Sequence, residues 1–196
     1  MAPKRGPRVL EELVSERIRV GVIYGSARPG RFCETVVRWV AERVGQSGRF
    51  EIELIDPATP PDGVSSASVK ERLAQAEAFV VVTPEYNHGY TAALKSLIDS
   101  YGVEWHAKPV AFVSYGGVSG GLRAVEQLRL VFAELHAVTI RDSVSFAGAW
   151  EQFDGEGKLR NPERALRTMD TVLKRLHWWA VALRNAQAAE PYLQVS

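Results

Sequence analysis

Five apolar runs, each followed by a longer amphipathic stretch, constrain what this chain folds into more than any other feature. Residues 18–24 read IRVGVIY, 50–56 FEIELID, 78–84 AFVVVTP, 109–115 PVAFVSY and 138–146 VTIRDSVSF. A run as continuously apolar as AFVVVTP belongs to a strand buried on both faces, the environment of a parallel sheet. FEIELID instead alternates Phe50, Ile52 and Leu54 with Glu51 and Glu53, which places it nearer an edge. Val36, Val37, Val40 and Val44 have helical spacing, and helices are expected over 68–76, 91–102, 122–137 and 162–187, with Gly102 as a C-cap. Strict alternation of this kind gives an α/β fold, a parallel sheet with helices on both faces. Five strands fit the flavodoxin-like doubly wound order 2-1-3-4-5 better than a six-stranded dinucleotide-binding sheet, although periodicity does not itself give the order.

A chain of 196 residues fits one domain, 1–196, with residues 1–17 as an amino-terminal arm. The net charge of +1 gives no electrostatic footprint for nucleic acid. The single cysteine, Cys33, cannot form a disulfide within the chain, so a cytoplasmic setting is expected. No apolar run approaches membrane-spanning length, no apolar segment follows the basic start, and neither a membrane nor a secretory signal is expected.

Ligands of such sheets bind beyond the carboxyl ends of the strands, where the strand order reverses. Three unusual loops fall there: GSARPGR (25–31), PEYNHG (84–89) and SYGGVSGG (114–121). The first opens a helix, where free N–H groups attract an anion. Ser26 adds a hydroxyl, Arg28 and Arg31 add charged donors, and Gly25 and Gly30 allow unusual backbone. The position of the magnesium-binding hydroxyl of triphosphatases is held by Phe32, and no GxGxxG follows the first strand. The loop therefore suits a monophosphate bound without metal; an ordinary turn with surface arginines is the other reading. Tyr86 suits a flat ligand, and Asn87 suits either ring heteroatoms or a helix N-cap. Bare backbone brought against a flat ligand, or simple flexibility, explains the glycines of the third loop.

These three segments, with TPEYNHGYTAALKSLID and KPVAFVSYGGVSGGLRAVEQLR around them, resemble the NADPH-dependent FMN reductase family over residues 18 to 145. The resemblance implies an FMN-dependent oxidoreductase that passes hydride from NADPH or NADH to a small-molecule acceptor such as a flavin, quinone or azo compound. It implies that Ser26, Arg28 and the amides around Arg31, Phe32 and Cys33 hold the FMN phosphate. Pro84, Glu85, Tyr86 and Asn87 would line one edge of the isoalloxazine, and Ser114, Tyr115, Gly116, Gly117 and Gly120 the other. It also implies a homodimer or homotetramer. The chain departs from the family at Cys33, where Asn, Ser or Gly is usual, and at Ser96, where Asn is common.

No catalytic side chain and no metal site is expected, since the four histidines lack ligand spacing. His88, in a site loop, either touches substrate or lies on the surface. Cys33 is expected to be inert, and Trp178 and Trp179 to pack. Trp105 is expected at a subunit interface, with packing on its own domain as the alternative. Two other functional classes compete: a flavodoxin-type electron carrier, against which the near-neutral charge argues, and a flavin-binding regulatory module.

Overall fold

The computed structural model describes residues 17–58 and 66–195. The amino-terminal arm, apart from Arg17, and most of the turn-rich 57–66 segment lie outside the described residues. Five strands, β1 (Ile18–Tyr24), β2 (Phe50–Ile55), β3 (Ala78–Pro84), β4 (Pro109–Gly116) and β5 (Val138–Ala147), form one parallel sheet in the order β2-β1-β3-β4-β5. The helices are α1 (Cys33–Gln46), α2 (Ser66–Gln75), α3 (Ala92–Asp99), α4 (Leu122–Glu134), the single turn α5 (Ala149–Gln152) and α6 (Glu163–Ala189). The continuously apolar β3 and β4 are buried along their whole length, while the alternating β2 stands at an edge.

Each face of the sheet has its own core. On one, α1 and α6 bring Val36, Val40, Leu173 and Leu176 onto Val20, Val80 and Val113. On the other, α2, α3 and α4 bring Leu73, Leu94, Leu128 and Phe132 onto Ile23, Val81 and Phe112. Alternate residues of one strand therefore serve opposite cores, so a central strand has no polar side to show.

Arginines bond carbonyls on both edge strands, on β5 at the point where its register with β4 shifts. Arg129 on α4 donates to Ile140 O at 2.8 Å and to Arg141 O at 3.0 Å on β5. Arg72 on α2 donates to Leu54 O at 3.3 Å on β2.

Three local expectations are corrected. Gly102 does not cap α3: the helix ends at Asp99, and the Ser100 hydroxyl turns back onto Ser96 O at 2.7 Å. A serine that satisfies the last carbonyls itself stops the helix before the glycine. Trp105 is fully buried beneath Phe79 and Phe132, and its Nε1 donates to Ile98 O and Tyr101 O at 3.1 and 3.0 Å. It anchors its own core and offers nothing to a partner. Trp178 and Trp179, expected to pack, are 63% and 37% exposed and lean edge-on against each other. They fall on the outer side of α6, whose inner side is already filled by Leu173, Leu176 and Ala180.

The two kinds of tryptophan separate in a denaturation experiment. Trp105→Ala should destabilise the protein by about 3–5 kcal/mol, because it empties a packed site and removes two indole hydrogen bonds. Trp178→Ala, on the surface, should change the same midpoint by no more than about 0.5 kcal/mol.

Candidate functional site at the carboxyl ends of the strands

The order reverses between β1 and β3, and the loops after β1, β3 and β4 meet there. The first loop lies tight on β3. Gly25 N–H donates to Val82 O at 2.7 Å, and a Cβ at position 25 would stand 2.5 Å from that oxygen. The Gly25 carbonyl accepts from Thr91 Oγ1 at 2.6 Å. Thr91 is also the N-cap of α3, accepting from Leu94 N–H at 3.1 Å. One buried hydroxyl thus ties the first loop to the start of α3.

Asn87, read as a candidate N-cap, is displaced from that role by Thr91. It sits instead with His88 at the tip of a tight turn, at φ 51° and 70°. Tyr86 N–H donates to Gly89 O at 2.9 Å and Gly89 N–H returns to Tyr86 O at 3.0 Å. Left-handed residues at both central positions mark a type I′ turn, for which Asn is well suited. The turn projects Asn87 and His88 into solvent, both exposed.

The two arginines of the first loop part company. Arg31 grips the Asp56 carboxylate with both terminal nitrogens, bonds the Ser26 carbonyl and lies over the Tyr24 ring at 4.8 Å. Its side chain is only 8% exposed, so the guanidinium is committed to holding the loop. Arg28 remains at the surface, its guanidinium 3.7 Å from the centre of the Tyr86 ring. The Tyr86 hydroxyl meets Ser26 Oγ at 2.8 Å. Ser26, Arg28 and Tyr86 therefore form one cluster across the first two loops.

Behind them the expected residues turn inward. The Cys33 thiol is fully buried against Val82 O, and burial raises its pKa, which makes it a poor nucleophile. The Tyr115 ring is buried as well; desolvation, reinforced by Cys33, pushes its hydroxyl far above the ordinary range. Phe32 packs on Tyr115, Trp150 and Phe153. From Arg31, Phe32, Cys33 and Tyr115 only backbone remains to face a ligand. Phe32 is the N-cap of α1 and makes no side-chain cap; Glu34 N–H turns to Arg31 O at 3.4 Å and Thr35 N–H to Phe32 O at 3.1 Å, so no side chain closes that helix start. Pro84 is buried at the end of β3, opposite Tyr115.

The glycine loop folds around its own carbonyls. Ser114 Oγ and Ser145 Oγ both donate to Gly120 O, at 2.8 and 2.9 Å. Gly120 is at φ 60°, and a Cβ there would collide with Ser145 and the Ala147 backbone. Gly116 has Gly121 N only 3.3 Å from where a Cβ would stand. Gly117 is the opposite case: a Cβ would meet nothing within 4 Å, so its backbone lies bare toward open space.

Glu85 locks the second loop to the third. Ser119 Oγ and Arg123 N–H donate to one carboxylate oxygen at 2.7 and 3.1 Å, and Arg123 Nη1 to the other at 2.7 Å. Its side chain is 7% exposed. Burial alone would raise its pKa, but the Ser119 and Arg123 hydrogen bonds outweigh it and hold the carboxyl below the ordinary range. Gln127 completes the tie by donating to His88 O at 3.1 Å. Glu85 thus fixes the loops relative to each other instead of presenting its carboxylate to a ligand. Asp56, Thr91, Ser119, Arg123 and Gln127 did not stand out in the sequence. Of these only Thr91 carried a signal, a capping residue just before a helical run.

The donor set fits a flavin mononucleotide. An uncapped helix start, a hydroxyl and one surface guanidinium suit a phosphate dianion without metal, while Tyr86 and the bare Gly117 backbone bound the space beside it. Comparison with known proteins points the same way. Residues 18–151 match the NADPH-dependent FMN reductase family. An NAD(P)H-dependent FMN reductase of Schizosaccharomyces pombe is 35% identical over 57% of this chain and 64% of its own length. One of Saccharomyces cerevisiae is 34% identical over 58% of this chain and 73% of its own. A quinone reductase of Pseudomonas putida is 29% identical over 77% of this chain and 89% of its own. The chain is similar in fold to a flavoenzyme NAD(P)H:(acceptor) oxidoreductase of Paracoccus denitrificans, with a TM-score of 0.68 at 20% identity over 83% of this chain and 97% of that one.

The Glu85 clamp has a pH signature. Its folded pKa lies below the unfolded value, so its contribution is complete above about pH 4.3, the ordinary glutamate value, and is lost as pH falls through the folded one. Glu85→Gln should cost about 1 kcal/mol at neutral pH. The gap between variant and wild type in urea denaturation should close as the pH is lowered below 4; a gap that stays constant would remove the clamp.

Proposed function

The chain belongs to the NADPH-dependent FMN reductase family, and on that premise we propose that it is an FMN-dependent NAD(P)H oxidoreductase acting on small acceptors of the flavin or quinone kind. The observation that carries the reading is the cluster of Ser26, Arg28 and Tyr86 beside the uncapped start of α1. The chemistry FMN supplies when bound is two-electron transfer between NAD(P)H and an acceptor.

This chain's part is to bind and orient. Ser26 Oγ, Arg28 and the amino-terminal end of α1 would hold the phosphate. Arg31 keeps the loop in shape through Asp56 and takes no direct part. Tyr86, the backbone of Asn87 and the glycine loop from Gly116 to Gly120 bound the ring. Ser114 and Ser145 hold the Gly120 carbonyl back, so amides instead of carbonyls are left to meet negative charge on the ring edge. No side-chain acid or base is required.

The whole site lies in a single domain. Among the described residues no helix is long and apolar enough to cross a membrane, and the lone buried thiol supports a cytoplasmic setting. In this reading the working unit is a homodimer or homotetramer, with α4 the contact face through Leu130, which is 75% exposed. Leu130→Glu should then shift the mass seen by light scattering to that of one chain; an unchanged mass would move the contact off α4.

FMN fluorescence should be quenched on titration with the protein, and NADPH absorbance at 340 nm should then fall when a quinone is added. A flavin carrier or regulatory module would bind FMN and leave NADPH intact. Arg28→Ala should weaken FMN roughly 10- to 150-fold, the range for a hydrogen bond to a charged group. Riboflavin, which lacks the phosphate, should bind both proteins alike; equal losses for the two ligands would take Arg28 away from the phosphate.

A further inference from the structure

A cavity of about 550 Å³ lies just beyond the glycine loop, between the carboxyl half of β5 and the start of α6. Its charge is one-sided. Among the described residues Arg164 is the one charged residue that lines it, and no carboxylate does. No side chain among the described residues pairs with that guanidinium. The cavity on the opposite edge of the sheet shows the contrast, since its Arg19 and Arg72 are matched by Glu51 and Glu53. An unmatched cation at a pocket favours an anionic ligand.

The remaining lining divides in two. Ser143 and Asn161 add a hydroxyl and a carboxamide to the lining, the Thr168 hydroxyl being turned onto Arg164 O, while Val118 and Leu122 form an apolar wall. That wall is unusually bare: Val118 is 100% exposed and Leu122 47%. A ligand that satisfies both parts carries a phosphate and a flat, largely apolar base. Val118 and Ser119 also belong to the loop that bounds the flavin site, so one molecule spanning the loop reaches both places.

We propose that this cavity receives the adenosine end of NADPH and that Arg164 reads its 2′-phosphate. The inference rests on the reductase reading above and adds to it a site for the reductant. It makes Arg164 the residue that separates NADPH from NADH, because NADH presents a neutral hydroxyl where NADPH presents the phosphate.

The test is calorimetric titration of the FMN-loaded protein with adenosine 2′,5′-bisphosphate, with 5′-AMP and inorganic phosphate as separate arms. The bisphosphate should bind more tightly than either. Arg164→Ala should weaken it roughly 10- to 150-fold. The same variant should leave 5′-AMP and the FMN titration unchanged, and Arg164→Lys should restore part of the loss. In turnover the KM for NADPH should rise by a similar factor with kcat held and NADH unaffected. Inorganic phosphate binding as tightly as the bisphosphate would overturn the nucleotide assignment. So would a bisphosphate affinity that ignores Arg164→Ala, or no bisphosphate binding at all. Bisphosphate binding that depends on Arg164 in a protein that never oxidises NADPH would instead count against the reductase reading alone.

Discussion

No side chain fits at position 25, and the site follows from that. Gly25 rests on the Val82 carbonyl so closely that a methyl group would strike it. The first loop is therefore folded against the end of β3 instead of standing free above β1. Thr91 fastens it from the other side, through a hydroxyl that also begins α3. Ser26 comes within reach of Tyr86 only because of this contact, and a loop after one strand shares a cluster with a loop after its neighbour. A parallel sheet with short strands keeps such loops side by side; the glycine decides that they touch.

Charge is arranged on the same principle, with one member of each pair withdrawn from solvent. Arg31 is held by Asp56 and Glu85 by Arg123, so both side chains are almost fully covered and both maintain loop shape. Arg28 stays at the surface on an aromatic ring, a placement that leaves its hydrogen-bond donors at the edges free. Two arginines three residues apart in one loop thus do different work, and the carboxylate at the end of β2 determines which does which.

Much of this was legible in the residues. The apolar continuity of 78–84 gave a central strand, the alternation of 50–55 an edge strand, and the three loops lie together where alternation of strands and helices puts them. What escaped was set by partners distant in sequence. Arg31 looks like a phosphate ligand until Asp56 is seen beside it, and Glu85 looks like a ring contact until Ser119 and Arg123 are. Trp105 carried no local sign of the pocket formed by Phe79 and Phe132. Gly102 and Asn87 mislead for a different reason: Ser100 and Thr91, a few residues away, compete for the same backbone groups and win with better-placed hydroxyls.

The guanidinium groups on the outer strands bear on how the chain behaves at high concentration. A sheet grows from one molecule to the next by adding a strand to an open edge, which needs an unbroken row of free carbonyls and amides. Arg129 occupies the Ile140 and Arg141 carbonyls, where β5 is already irregular, and Arg72 a carbonyl near the end of β2. An incoming strand would have to evict a cation before it could register on either side. Addition of a strand to the native sheet is thereby obstructed at both flanks.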